Sequence, residues 1–501
     1  MIDKTNKTSI LVITSLASFL TPFMASSVNV ALPLISRQLG MNAILLSWGI
    51  TAYVLSAAVF LVPFGRLADI FGRKKIFLYG LIIFTFASLL AAISNSSILL
   101  IFSRALQGFG SAMTFGTATA ILISVFPFQE RGKVLGINIG SVYLGLSLGP
   151  FLGGILTQYF GWQSIFFLQV PLGLIVIALT IWKLKNEWTC PAPISDAQKD
   201  NTTTSNLYNT GFENRRWVKM SGEKFDLIGS IIYGLSIFFI IYGLSILPNL
   251  AGFILIGLGA FGIYLLIKRE EKVVYPILNV NLFRQNITYA FSNLAAAINY
   301  SATSAVGFLL SLYLQNIKAL NPAQAGMVLL SQPIVMAIFS PLAGRLSDKI
   351  EPRITASIGM GLTFVGLLLF IPINANTSIN FIVINLIILG FGFALFSSPN
   401  TNAVMSSVDK KYYGVASGTL ATMRMIGQMF SMGIAMLLFS VIIGRVKITP
   451  QYFGLFLKSI RIAFTIFSAL CFFGIFASLA RGKLRNNNFC NHRLTRMNTD
   501  K

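Results

Sequence analysis

Fourteen apolar runs, each near the roughly 20 residues a helix needs to cross a bilayer, dominate the sequence. They fall near residues 10–34, 44–64, 76–94, 98–126, 134–158, 164–183, 226–247, 250–267, 287–314, 324–343, 353–373, 379–405, 414–444 and 459–480. In hydrocarbon nothing outside the chain can satisfy backbone amides and carbonyls, so such runs must fold as helices. Barrel strands would instead alternate polar and apolar residues. Composition agrees: 11% of the 501 residues are charged and the mean hydropathy is +0.75, against about 25% charged residues in soluble domains. The expectation is an all-α polytopic membrane protein, not a soluble enzyme or a secreted disulfide scaffold.

An even number of spans puts both termini on one face. The first run is longer than a signal-peptide core and is expected to be retained. Of the 38 Lys and Arg, thirty fall in segments sharing the termini's face, and six (Arg37, Lys318, Arg445, Lys447, Lys458, Arg461) in the opposite loops. Arg104 and Arg424 lie within spans. By the positive-inside rule the termini are cytoplasmic, as are Cys190 and Cys490, in a multi-pass protein of the cell membrane. The net charge of +23 then reflects topology and the anionic inner leaflet, with no need for nucleic acid. Three cysteines and one histidine offer neither a disulfide framework nor a metal cluster, and no cofactor is expected.

An internal repeat divides the chain. Gly65-Arg66-Leu67-Ala68-Asp69 follows the second span and Gly344-Arg345-Leu346-Ser347-Asp348 the tenth. If each marks the turn between the second and third helices of a six-helix half, the halves are 1–183 and 287–480. Residues 226–286 are then an inserted helix pair with its connector, 184–225 a polar flexible linker, and 481–501 a basic solvated tail. Duplicated halves with a site at the midplane are a transporter architecture.

Three motifs carry chemistry. In the first, Gly65, Arg66, Asp69, Gly72 and Arg73, a glycine permits a sharp turn, and Asp69 suits the positive dipole end of the third helix with Arg73 four residues on. A charged turn that only sets topology is the plain alternative. In the second, Arg104, Gln107 and Ser111 share one face of the fourth span. An arginine there costs about 3 kcal/mol on insertion scales and should face a cavity or a partner, or snorkel. In the third, Gly136, Gly145, Gly149, Pro150, Gly153 and Gly154 line the fifth span. Small residues there allow close helix approach, and Pro150 removes a backbone donor.

Together these motifs resemble the major facilitator superfamily, in its fourteen-helix drug:proton antiporter branch. The resemblance implies a monomeric secondary transporter exporting small amphipathic molecules, as multidrug efflux proteins do, by alternating access and with protons as coupling ion. It also implies a conformational latch at Gly65, Arg66, Asp69, Gly72 and Arg73, with Gly344, Arg345 and Asp348 as its second copy. Arg104 falls in the motif it links to proton transfer. The glycine series of the fifth span matches its antiporter motif.

One departure matters. Where that branch carries an acid in the first helix, this chain has Met24, although Asn29 and Pro33 match. No carboxylate falls in the middle of a span. A potential-driven exporter of an anionic or neutral metabolite is therefore an alternative, and a non-transporting sensor on a transporter fold is the rival of another class. The family arrangement supplies candidates lining the path: Asn29, Tyr53, Gln107, Asn138, Asn293, Tyr300, Gln332, Asn400, Asn402, Arg424 and Gln428. Any one could equally bond a neighbouring helix. No paired acids, nucleotide loop or histidine cluster suggests an enzyme.

Overall fold

The computed structural model describes residues 4–126, 128–184, 226–271, 273, 280–408, 413–444, 446 and 448–482. Among these, fourteen helices are long and apolar enough to cross a membrane, and no strand is present. They are α1 (Lys4–Leu39), α2 (Ala43–Phe71), α3 (Arg73–Ala92), α4 (Ser97–Val125), α5 (Phe128–Phe160), α6 (Gln163–Lys183), α7 (Leu227–Ile246) and α8 (Leu250–Glu270). The rest are α9 (Ile287–Ile317), α10 (Pro322–Lys349), α11 (Pro352–Leu369), α12 (Ile379–Ser406), α13 (Tyr413–Leu438) and α14 (Phe453–Leu479). The linker expected at 184–225, beyond Leu184, and the tail beyond Gly482 lie outside the described residues.

Short polar side chains set the helix starts. Asn42, Ser96, Asn286 and Ser378 each accept a hydrogen bond from the amide three residues on, satisfying a donor the helix leaves unpaired. Asn321 and Gln324 close a capping box around Pro322. Between α2 and α3 the chain turns on Gly72 alone, at φ 111°. That backbone region excludes most L-residues.

The packing repeats with a shift of eight helices. In the first half α1 packs on α5, α2 and α3 on α4, and α3 on α6; in the second α9 packs on α13, α10 and α11 on α12, and α11 on α14. The contacts between halves obey the same shift, α5 against α10 and α13 against α2. Helices α7 and α8 pack on each other, and α7 lies on α2 and α13, over one of the two equivalent seams. Tyr233 of α7 donates to the Ala58 carbonyl of α2 across 3.2 Å. Asp226 accepts from the Gly229 amide at the start of α7 and pairs with Arg269 of α8 at 2.6 Å, which ties the inserted pair together.

The second half departs from plain helices in α9 and at the end of α13. Helix α9 breaks at Ser304–Ala305, where the Ala305 amide donates to the Ser431 hydroxyl of α13 at 2.9 Å. It ends in a wide turn, Tyr313–Ile317, and α13 continues into another, Phe439–Ile443.

Candidate functional site

Arg104 sits about 10 Å along α4 from its start, at 1.5 Å per residue. Its Nε donates to the Gly49 carbonyl of α2 at 3.0 Å and its Nη1 to Gln107 Oε1 at 2.7 Å. Gln107 in turn donates to Ser88 of α3 at 2.8 Å. The guanidinium lies 4.5 Å from the centre of the Tyr53 ring, whose hydroxyl is 2.9 Å from Ser111. Charge-assisted hydrogen bonds contribute about 1.5–3 kcal/mol each and a desolvated cation–π contact about 2. Together these offset the cost of placing the charge within the span. Arg104 is 1% exposed, so of the readings open from sequence the partner is the one realised: Arg104 neither snorkels nor faces an opening. Its Nη2 alone is buried with no partner.

Arg424 of α13 occupies a different setting. It is half-buried, donates to Thr401 of α12 at 2.7 Å and lies 5.8 Å from the centre of the Tyr300 ring in α9. Tyr300 meets Phe393 of α12 edge to face at 5.2 Å. Nearby, the Tyr143 hydroxyl of α5 is 3.2 Å from that of Ser397 in α12, a contact that crosses from one half to the other. Gln428, one turn from Arg424, is half-buried.

The described hydrogen bonds between the halves run from mid-helix to the face opposite the termini. Tyr143–Ser397 is the most central. Beyond it, Ser311 donates to the Asn29 carbonyl at 2.5 Å, Gln315 to that of Val30 at 2.7 Å, and Thr51 to Met436 Sδ at 3.3 Å. Ala43 donates to Val446 between the loops at 3.1 Å.

The glycine series of α5 makes close approach possible on two sides. A Cβ at Gly145 would lie 2.5 Å from the Phe19 carbonyl oxygen, one at Gly149 1.8 Å from Ser26 Oγ, and one at Gly153 2.7 Å from Ser27 Cβ, all on α1. Ser27 donates to the Gly149 carbonyl at 3.0 Å. On the other side a Cβ at Gly154 would meet the Pro322 carbonyl at 2.5 Å, and one at Gly326 of α10 the Pro150 carbonyl at 2.1 Å. Helix α5 is thus the spacer between α1 and the opposite half. Gly136 belongs to the same helix, about 13 Å nearer the termini's face than Gly145 at 1.5 Å per residue.

The other candidates are scattered. Gly65, Arg66 and Asp69 occupy the last turns of α2, and Gly344, Arg345 and Asp348 those of α10. Asp69 therefore closes α2 rather than opening α3, whose first turn begins at Arg73; the side chains of Asp69 and Asp348 lie outside those described. Arg73 donates to the Ala120 carbonyl of α4 at 3.1 Å. Asn29 and Gln332 are half-buried, whereas Asn138 is buried with its carbonyl oxygen unpartnered. Asn293 is fully buried and donates within its own helix to Tyr289. Asn402 donates to Ser347 of α10 at 3.0 Å. Met24, in place of the acid, is fully buried.

Asn400 is buried here against a residue just outside the spans. Arg481, read as the start of a solvated tail, is 1% exposed. Its Nη1 donates to Asn400 Oδ1 at 2.8 Å, and its Nε and Nη2 to the carbonyl and hydroxyl of Ser478 at 2.8 and 2.6 Å. Thr288 of α9 donates to the Arg481 carbonyl at 2.6 Å, and Ser357 of α11 to Ser478 at 2.8 Å. Four helices, α9, α11, α12 and α14, thus meet around Arg481 and Ser478 at the end of α14. Burial pushes the guanidinium pKa down to about 10. A positional repeat gives no signal for this, since the first half has no matching arginine past α6 among the described residues.

Fourteen spanning helices in two halves of like packing, joined at the far face and enclosing buried polar side chains, define a multi-pass membrane transporter. The chain belongs to the Major Facilitator Superfamily, whose family model matches residues 14–268 and 293–489. Among its relatives, the riboflavin transporter RibZ of Clostridioides difficile is 30% identical over 85% of this chain and 86% of its own length. The multidrug resistance protein Stp of Mycobacterium tuberculosis is 28% identical over 84% and 74%. The tetracenomycin C resistance and export protein of Streptomyces glaucescens is 27% identical over 82% and 71%. In fold, the chain is similar to an auto-inhibited POT family peptide transporter, with a TM-score of 0.67 at 14% identity over 95% of this chain and 96% of the other. It is also similar to a bacterial homolog of the human lysosomal transporter Spinster, with a TM-score of 0.64 at 15% identity over 96% and 98%.

Proposed function

We propose that the protein is a secondary transporter of the cell membrane, with cytoplasmic termini, that exports small amphipathic molecules by alternating access. The observation that carries this reading is the joining of the halves from mid-helix to the far face. Their described hydrogen bonds lie from mid-helix to the far face, with α5 and α10 in backbone contact there. That arrangement is one of the two access states such a cycle needs, and the paired turns after α2 and α10 are the latch that favours one over the other. Relatives named for drug resistance and export support the direction. The relative named a riboflavin transporter favours a second reading for the cargo, a neutral heteroaromatic metabolite.

Coupling need not use an embedded acid. With Met24 in the first helix and no carboxylate in the middle of a span, the membrane potential alone suffices for an anion. Expelling one negative charge from a negative interior gains about 2.3 kcal/mol per 100 mV, equivalent to a gradient of about fiftyfold. Everted vesicles with potential and pH gradient clamped separately test this. Uptake driven by potential is expected, and strong uptake of a cationic dye driven by pH alone would contradict it. A sensor would bind ligand without moving it.

A further inference from the structure

We propose that Arg424 sets the charge of the cargo: with Tyr300, Phe393, Ser397 and Tyr143 it forms a mid-membrane subsite for an aromatic amphipathic anion. This rests on the transporter reading above and adds to it a substrate class and the residues that read it.

Arg104 and Arg424 are in opposite situations. Arg104 is enclosed by its own half, with its donors directed to Gly49 and Gln107 and its face on Tyr53. Arg424 is half-buried and uses one described hydrogen bond, to Thr401. A guanidinium has five N–H donors and no acceptor, and carries its charge at neutral pH. Among the described residues no carboxylate faces it. A cation left with spare donors at that depth is costly unless an acceptor or water reaches it, and an anionic ligand supplies the acceptor in bidentate geometry.

The surroundings supply the rest of the recognition. Tyr300 presents its ring to the guanidinium and its hydroxyl to Ser397, and Phe393 closes the far edge. Two aromatic rings at right angles leave an edge and a face for a third. Ser397 also holds Tyr143 from the opposite half, so a ligand competing for these hydroxyls acts on the most central described hydrogen bond between the halves. On α5, one turn before Tyr143, a Cβ at Gly140 would meet nothing within 4 Å.

The test uses the purified full chain in nanodiscs and three fluorescent probes: carboxyfluorescein (anionic), riboflavin (neutral) and rhodamine 6G (cationic). Wild type should bind carboxyfluorescein at least about tenfold more tightly than rhodamine 6G. Arg424→Gln should remove that preference, weakening carboxyfluorescein about tenfold or more while riboflavin changes by less than about threefold. Should Arg424→Gln not fold, Arg424→Lys carries the test. A point charge in place of the planar fork should weaken carboxyfluorescein by about three- to tenfold and leave riboflavin unchanged. Wild type that prefers the cation or shows no preference, or a folded variant with unaltered preference, overturns the subsite. If the preference behaves as expected but liposomes bearing wild type do not move carboxyfluorescein, the subsite stands and the transport reading fails.

Discussion

Gly326 of α10 faces the carbonyl of Pro150 in α5 so closely that a Cβ on it would lie 2.1 Å from the oxygen. Backbone thus meets backbone across the two halves, in a seam that side chains would hold open. Gly326→Leu should therefore shift the protein away from the joined state and cut transport by about tenfold or more, since overpacking of this kind costs about 1–3 kcal/mol. Distances between spin labels on the loops at the far face should lengthen in the variant. Unchanged distances and transport would remove this contact from the cycle.

Arg104 holds α2, α3 and α4 together through Gly49, Gln107 and Ser88. Arg104→Met should leave the buried Gln107 Oε1 without its charged donor, loosen α4 from α2, and lower stability by about 2 kcal/mol or more. Thermal unfolding in detergent reads this. A variant that unfolds like wild type would show the bonds to carry no net weight.

Arg481 and Asn400 should be coupled by more than about 1 kcal/mol in a double-mutant cycle, since both sit in one network. The pH dependence has a defined sign. Burial holds the Arg481 pKa in the folded protein at about 10, below that of the unfolded chain, so the unfolded state binds more protons above that pH. Stability at this site should rise as pH increases through about 10. Arg481→Gln should remove that contribution, and an unchanged pH profile would show that the site does not titrate there.

Cys190 and Cys490 lie outside the described residues, yet charge distribution fixes an expectation for them. With thirty of 38 basic residues on the termini's face, both thiols should react with an impermeant reagent only after the membrane is opened. Labelling in intact cells would invert the topology.

The spans were legible because each is an apolar run of bilayer length, and the glycine series of α5 because close backbone contact accepts few other residues. What sequence did not reveal is how polar side chains choose partners. Nothing local distinguishes Arg104, enclosed by Gly49, Gln107 and Tyr53, from Arg424, which keeps unused donors. Arg481 looks like its basic neighbours in the tail, and its burial is set by Asn400, Ser478 and Thr288 from three separate helices. The break in α9 carries no proline or glycine at Ser304–Ala305. It depends on the Ser431 hydroxyl of α13, a contact that only tertiary packing creates.

Alternating access requires the far face to open, and Thr51 of α2 and Met436 of α13 meet there, with Thr51 Oγ1 at 3.3 Å from Met436 Sδ. The most direct measurement places cysteines at both positions, in a background lacking Cys190, Cys471 and Cys490, and joins them with a short cleavable cross-linker. Counterflow of carboxyfluorescein and riboflavin in proteoliposomes is then followed before joining, after it, and after cleavage. Counterflow should stop on joining and return on cleavage. Counterflow that continues at the wild-type rate through the joined protein would contradict the account.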